Sequence, residues 1–168
     1  CGGNETCAPE TPPHISGQWS FRDWLGAVRA RLGIDRRSYR VEPGLYALGE
    51  PGPESPVLAT ACYKLSFDHL RRAMRGRDAW ILVLETKGIN VWCAAGKGTF
   101  GTQELVRRLK ESGLADIVSH RRVVVPQLGA PGVSAPAVEQ ESGFEVAYGP
   151  IEADDLPAYL DAGMDTTP

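Results

Sequence analysis

Four cysteines are the side chains of this 168-residue sequence best suited to act as nucleophiles or soft metal ligands. Cys1 and Cys7 lie in a Gly/Pro-rich opening segment, and Cys62 follows an apolar stretch where buried packing is its expected use. Cys93 has no other cysteine and no histidine within twenty residues. A structural zinc site is therefore not expected there, whereas a metal brought by a cofactor needs only one axial protein ligand.

The residues around Cys93 predict a short helix with a surface of small side chains. A buried strand, AWILVLE, is followed by a turn at Gly88 and by a helix that begins near Asn90. On that helix the thiol stands beside Trp92 and among residues no larger than alanine. Such a surface suits a flat macrocycle whose central metal approaches the backbone. A buried structural cysteine on an ordinary helix is the alternative interpretation.

A glycine motif in the same segment suggests a nucleotide site. Residues 96–101 read GKGTFG, which satisfies G-x-G-x-x-G, and Asp116 lies 20 positions beyond Gly96. In a dinucleotide site the first glycine directly follows a strand, but here residues 86–95 intervene. A dinucleotide-binding redox module is therefore a secondary alternative. A Walker A phosphate loop fails at two required positions.

The elements that must position these residues alternate between strands and helices. This alternation predicts an α/β fold with a Rossmann-like, largely parallel sheet covered by helices, to which the short helix with Cys93 is added. Strands are predicted at residues 39–41, 45–48, 56–61, 79–85, 123–125 and 144–148. Further helices are predicted at residues 21–33, at 67–74 with Ser66 as N-cap, at 103–111 and at 153–160.

Ligands of an open parallel sheet bind outside the carboxyl ends of its strands. Three loops are expected at that edge, at residues 60–65, 88–101 and 127–136. These three loops should lie together and form one rim at the carboxyl edge of the sheet.

Charge and hydropathy exclude several classes of function. The formal charge is −3, with +5 over residues 1–122 and −8 over residues 123–168. No Lys/Arg-rich run with interleaved aromatics is present, so nucleic acid is not an expected partner. The longest apolar run, residues 79–84, is too short to span a bilayer. Residues 1–18 are predicted to be a flexible leader and residues 19–168 the folded domain.

The segment NVWCAAGK, residues 90–97, resembles the cap-helix signature of the corrinoid proteins of microbial mercury methylation, the HgcA family. The similarity extends through SPVLATACYKLSFDHLRR, VVVPQLGAPGVSA and LPAYLDAGMDTTP, over residues 19–168. That family is related to the large subunit of the corrinoid iron-sulfur protein of the acetyl-CoA pathway. The resemblance implies a soluble corrinoid domain on the cytoplasmic side of the cell membrane, followed in the full-length protein by a membrane domain that this chain lacks.

The resemblance also implies a cofactor and its contacts. The cofactor would be cobalamin, and the catalytic residue and metal ligand would be Cys93, whose thiolate is the lower axial ligand of cobalt in place of the benzimidazole. The residues implied to line the lower face of the ring are Asn90, Val91, Trp92, Ala94, Ala95 and Gly96. Those implied to contact the corrin edge or the displaced tail are Thr60, Gln127, Leu128, Gly129, Ala130 and Val133.

The implied activity is that of a corrinoid-dependent methyltransferase. A carbanion-like methyl group would pass from methyl-Co(III) to Hg(II), a soft electrophile, and form methylmercury. The implied partners are a methyl donor such as methyl-folate and a small ferredoxin with two 4Fe-4S clusters. Arg121 and Arg122 are candidates for docking that ferredoxin. The alternative is a methyl carrier of the acetyl-CoA pathway, which in the resembled relatives has no cysteine ligand at this position.

Overall fold

The computed structural model describes residues 12–18 and 40–164. Cys1, Cys7, Tyr39 and the helix predicted at residues 21–33 lie outside this range. Within it, a six-stranded sheet runs through the centre of the molecule in the order β1-β2-β4-β3-β5-β6. The strands are β1 (His14–Ile15), β2 (Gly44–Leu48), β3 (Val57–Ala61), β4 (Ala79–Leu84), β5 (Arg122–Val125) and β6 (Glu145–Tyr148).

The sheet is parallel over its larger part. Strands β4, β3, β5 and β6 run in the same direction, whereas β2 pairs antiparallel with β4 and carries β1 on its outer side. All six residues of β4 are buried, because a strand in the middle of a sheet covered on both faces has no solvent side. The predicted α/β fold with a largely parallel sheet is confirmed.

Helices cover both faces of the sheet. They are α1 (Lys64–Ala73), α2 (Val91–Gly96), α3 (Thr102–Glu111), α4 (Leu114–Ile117), α5 (Ala135–Ser142) and α6 (Leu156–Asp161), with 3-10 helices at Gln127–Gly132 and Ala153–Asp155. One core forms around Ala59, Leu82 and Phe144 under α2 to α5. The second forms around Leu58 and Ile81 under α1 and α6.

Helix α1 begins earlier than the sequence pattern predicts. Ser66 is not its N-cap; the helix starts at Lys64, after the extended residue Tyr63, and has no side-chain cap. Ion pairs within the helix stabilise its first turn. The buried carboxylate of Asp68 accepts from Lys64 Nζ at 2.7 Å and from Arg71 Nε at 2.8 Å, at the i,i+4 and i,i+3 spacings that favour a helix.

One predicted loop and one predicted strand differ from the sequence-based prediction. The loop expected at residues 127–136 consists mostly of the 3-10 helix and the start of α5, whose first turn accommodates Pro136 because the amide of that position needs no helical partner. In place of the strand predicted at residues 39–41, Arg40 forms a single bridge with Tyr63.

Residues 12–18, which the sequence pattern assigns to the leader, belong to the folded domain. β1 pairs with β2, and Ala47 N donates to Pro13 O at 3.0 Å. Arg71 Nη1 donates to the carbonyl oxygens of Ser16 and Gln18 at 2.9 and 3.0 Å. The folded domain therefore starts before the predicted boundary at residue 18. No helix in the described part of the chain has the length and apolarity needed to cross a bilayer.

Candidate functional site

Helix α2 stands at the carboxyl edge of β4, where the sequence predicts it. Asn90 is its N-cap, with extended backbone angles (φ −64°, ψ 163°). The side-chain Oδ1 of Asn90 accepts a hydrogen bond from Cys93 N at 2.9 Å. This bond satisfies an amide that the first helical turn leaves without a partner, so Asn90 fixes the start of the helix that carries the cysteine.

The two sides of α2 differ in burial. Val91, Ala94 and Ala95 face the protein core. Cys93 is exposed, and Trp92 is 66% exposed beside it. The helix therefore presents a thiol and a large aromatic ring to the outside of the molecule, and the alternative of a buried structural cysteine is wrong.

Gly96 shares the outward side of α2 with Cys93. A Cβ built at Gly96 would meet no atom of the described residues within 4 Å, and Gly96 belongs to the helix without a positive φ. Glycine weakens a helix relative to alanine, and no contact within the described residues requires it here. The missing side chain leaves the helix backbone open to close approach from outside.

A cavity of about 390 Å³ opens at the same edge of the sheet. Its walls come from α1, from the end of β3, from the start of α2 and from residues 149–153. The large apolar side chains exposed within residues 12–18 and 40–164 are Trp92, Leu128 (39%) and Ile151 (61%), and all three line this cavity. Apolar side chains that surround a concave surface are typical of a ligand or partner site.

Comparison with known proteins identifies the family. The model of the CO dehydrogenase/acetyl-CoA synthase delta subunit family, CdhD, matches residues 27–160. This chain belongs to that family. It is 31% identical over 137 residues to the acetyl-CoA decarbonylase/synthase complex subunit gamma of Archaeoglobus fulgidus, covering 80% of this chain and 29% of the relative.

Two further relatives carry the same subunit name. The chain is 31% identical over 128 residues to the protein of Methanopyrus kandleri, covering 75% of this chain and 27% of the relative. It is 29% identical over 145 residues to that of Methanothermobacter thermautotrophicus, covering 85% and 31%. The chain thus spans under a third of the length of these curated relatives. The match confirms the expected relationship to a protein of acetyl-CoA metabolism.

The three loops predicted to share one rim do so. Thr60, from the end of β3, lines the same cavity as Asn90 and Trp92 from α2 and Leu128 from the 3-10 helix. Val91 lines this cavity as well, although it is only 8% exposed. These residues come from distant parts of the sequence and meet because parallel strands end at one edge of a sheet.

Four other residues expected to contact a ligand are buried in the protein core. Ala94 is fully buried, and Ala95 and Val133 are 6% and 4% exposed. Gly129 is buried against the Phe100 ring, where an added Cβ would lie 2.5 Å from a ring carbon. These four residues are buried because α2 and the 3-10 helix pack against each other and use the small side chains for close approach. Their contact with a ligand stays a prediction.

Gln127 and Ala130 lie near α2 but outside the cavity. Gln127 is exposed and Ala130 is half-buried, both on the 3-10 helix beside α2, and neither lines the cavity. Their contact with a ligand stays a prediction.

Several cavity residues escape the sequence patterns. Ser66 and His69 of α1 line the cavity, as do Gly149, Pro150 and Ile151 after β6. The rule that ligands bind at the carboxyl ends of strands would have found the last three, had it been applied to β6. The α1 residues carry no such signal, because their contribution depends on how the helix crosses the sheet.

The glycine motif does not form a dinucleotide site. Gly96 ends α2, Gly98 turns the chain with φ 74°, and Gly101 precedes α3. The glycines thus connect two helices rather than a strand and a helix, so the phosphate-binding turn of that fingerprint is absent from this segment.

The pair Arg121 and Arg122 lies far from this rim, at the amino end of β5. Arg121 donates to the carbonyl oxygens of Val118 and Ala115 at 2.9 and 2.8 Å, and Arg122 pairs with Glu145 at 3.3 Å. Both side chains are engaged within the domain, so the structure gives no support to a docking role near Cys93.

Proposed function

We propose that this domain binds a corrinoid and carries a methyl group, with Cys93 as the ligand of cobalt. The observation that carries the proposal is the outward side of α2, where an exposed thiol lies on the same side as a helical glycine that no contact among the described residues explains. A bound corrinoid would supply a metal centre that accepts and releases the methyl group. The relatives' place in an acetyl-CoA decarbonylase/synthase complex supports a role in one-carbon transfer.

The residues of the rim fit such a cofactor. Cys93 offers a soft sulfur ligand, and Gly96 leaves room for a flat ring against the helix. Trp92 and Leu128 offer exposed apolar surface that would exclude water from the ring. The cavity beside them, with Thr60 and Asn90 in its walls, would take the cofactor's edge or its displaced tail.

The relatives favour an acceptor in the acetyl-CoA-forming complex to which their names assign them. Hg(II) is the second candidate acceptor, and the exposed Cys93 favours it. If Cys93 held cobalt, its sulfur would donate electron density to the metal, and the cofactor would then supply a methyl group with the carbanion character that a soft electrophile takes up. A methyl-folate donor, a ferredoxin with two 4Fe-4S clusters and a membrane domain in the full-length protein are parts of this second proposal.

Absorption spectra of the reconstituted domain test the cobalt ligand. We expect hydroxocobalamin bound to the native domain to show a thiolate–cobalt spectrum, and Cys93→Ala to lose it completely while remaining folded by circular dichroism, because an exposed thiol contributes little to packing. A variant with both Cys1→Ser and Cys7→Ser is the matched control and should keep the native spectrum. A native spectrum in Cys93→Ala would show that the assignment is wrong.

The acceptor is tested with the domain loaded with methylcobalamin. One assay supplies Hg(II) and measures methylmercury; the other supplies an acetyl-CoA synthase with CO and coenzyme A and measures acetyl-CoA. Methylmercury formed by the native domain and lost in Cys93→Ala would support Hg(II). Acetyl-CoA formed without methylmercury would reject Hg(II) and leave the corrinoid carrier in place.

A further inference from the structure

The turn between β4 and Asn90, residues 85–89, has a strained backbone. Lys87 and Gly88 are consecutive residues with left-handed angles, φ 57° and 71°. Glycine adopts this conformation freely, but a lysine does so at a cost in free energy. Other contacts must therefore hold the turn, which determines where α2 begins.

The buried sulfur of Cys62 supplies such contacts. Cys62 lies just beyond β3 and is fully buried. Its Sγ accepts hydrogen bonds from Thr86 N and from Gly88 N, each at 3.3 Å. The sulfur thus holds the amides on either side of Lys87, and a thiol of this kind does more than fill space in a core.

The thiol proton has two acceptors in the same turn. Sγ lies 3.4 Å from Glu85 Oε1 and 3.4 Å from Thr86 Oγ1. The Thr86 hydroxyl donates its own proton to Ile89 O at 2.7 Å, so it can only accept from the thiol. Cys62 therefore contacts the turn as both acceptor and donor.

Helix α3 holds the same turn from the opposite side. Glu85 N donates to Glu104 Oε1 at 2.8 Å, and Arg108 Nε donates to the same oxygen at 2.8 Å. Desolvation raises the pKa of the Glu104 carboxyl, but hydrogen bonds from Arg108, the Glu85 amide and Arg107 outweigh it and hold the pKa below its usual value. The turn is fixed between the sulfur and this carboxylate.

We infer that Cys62 is a positioning residue for Cys93: its sulfur holds the 85–89 turn in the conformation from which Asn90 caps α2 and directs the exposed thiol outward. The effect on the α2 helix stands on the described contacts alone, whereas the effect on cobalt rests on the proposed function. The two cysteines, 31 positions apart, would then contribute to one site: the buried Cys62 positions the helix, and the exposed Cys93 offers its thiol.

Amide hydrogen exchange of the whole chain tests this inference without any cofactor. In Cys62→Ala we expect the amides of Thr86, Gly88 and Cys93 to exchange about tenfold faster relative to those of β3 and β4. Cys62→Ser, whose hydroxyl can accept from the same amides at a shorter reach, should restore part of the protection. Val83→Ala, which also removes buried side-chain atoms on the same face of the sheet, is the control and should leave the Cys93 amide unchanged.

Hydroxocobalamin binding to the same variants links the inference to the proposed function. We expect about tenfold weaker binding and loss of the thiolate–cobalt spectrum in Cys62→Ala, partial recovery in Cys62→Ser and native behaviour in Val83→Ala. Unchanged exchange at Cys93 in Cys62→Ala, or an equal increase in Val83→Ala, would overturn the inference. If exchange responds as expected but the native domain binds no cobalamin, the positioning role stands and the proposed function fails. If Cys62→Ala does not fold, hydrogen exchange and cobalamin binding are compared between Cys62→Ser and the native chain, and an unchanged Cys93 amide in Cys62→Ser would overturn the inference.

Discussion

Glycines lie on both sides of α2, for different reasons. On the inner side, the 3-10 helix packs against α2 at Gly132, where an added Cβ would clash with the Phe100 carbonyl oxygen and lie 3.2 Å from Ala95 Cα. On the outer side, a Cβ added to Gly96 would touch no atom of residues 12–18 or 40–164. Contacts within the domain therefore require the inner glycine and leave the outer one unexplained.

This difference shows how a functional surface can be separated from a packing surface when both are rich in glycine and alanine. The family resemblance implies ligand contacts for Ala94, Ala95, Gly96 and Gly129. Burial divides them, because only Gly96 is exposed while the other three are buried. A glycine that destabilises its helix, and that no contact among the described residues requires, indicates that a ligand approaches the helix from outside.

The strongest test of the comparison is the same substitution on both sides. Gly132→Ala forces a Cβ against the Phe100 carbonyl and should lower the free energy of unfolding by about 3 kcal/mol. Gly96→Ala should leave it unchanged or raise it by up to about 1 kcal/mol, because alanine favours the helix. Urea unfolding of both variants measures this, and equal losses of stability would remove the distinction between the two sides.

Cobalamin binding tests whether a ligand contacts the outward side of α2. Gly96→Leu fills the open space on α2 and should weaken hydroxocobalamin binding about tenfold while the fold is retained, because the ring can no longer approach the helix. Lys97→Ala, at the neighbouring exposed position, is the matched control and should bind as the native domain does. Native affinity in Gly96→Leu would mean that no ligand contacts this side.

The cap at the start of α2 gives a smaller effect. Asn90→Ala removes the acceptor for Cys93 N and should lower the free energy of unfolding by about 1 kcal/mol. Asn90→Asp keeps an acceptor at this position and should retain the native stability. Chemical denaturation of the three proteins compares them, and a loss in the aspartate variant equal to that in the alanine variant would argue against the cap.

Glu104 gives the smallest expected effect, and it depends on pH. Because the pKa of its carboxyl in the folded protein lies below the usual 4.5, ionised Glu104 stabilises the fold at neutral pH, and this contribution is lost as the pH falls through the folded pKa. Glu104→Gln lacks the contribution at every pH. The difference in Tm between native and variant domains should therefore narrow from pH 7 to pH 3, and a constant difference would contradict the role of the carboxylate.

The sequence predicts most of the parallel sheet and the position of α2. Continuous apolar runs identify β3, β4 and β5, and the turn at Gly88 with the capping residue Asn90 marks the start of the helix. These features are local, so periodicity and capping chemistry reveal them. The carboxyl-edge rule then brings three distant loops together without knowledge of the order of the strands.

Features that depend on tertiary contacts are not predictable in this way. Helix α1 starts three residues early, and its first turn is stabilised by the buried Asp68, which pairs with Lys64 and Arg71. The segment at Gln127–Gly132 reads as a loop because Gly129 and Gly132 suggest one, yet these glycines permit a 3-10 helix to pack on Phe100. Which side of α2 faces the core is likewise decided by that packing.

The anchoring of residues 12–18 has a practical consequence for anyone who shortens this protein. A version trimmed to residue 19 would discard an edge strand together with two carbonyl oxygens that hold Arg71. Arg71 also forms an ion pair with the fully buried Asp68. Loss of these contacts would therefore destabilise α1, whose residues Ser66 and His69 border the cavity. Expression vectors for this domain should keep the chain from Pro12 onward.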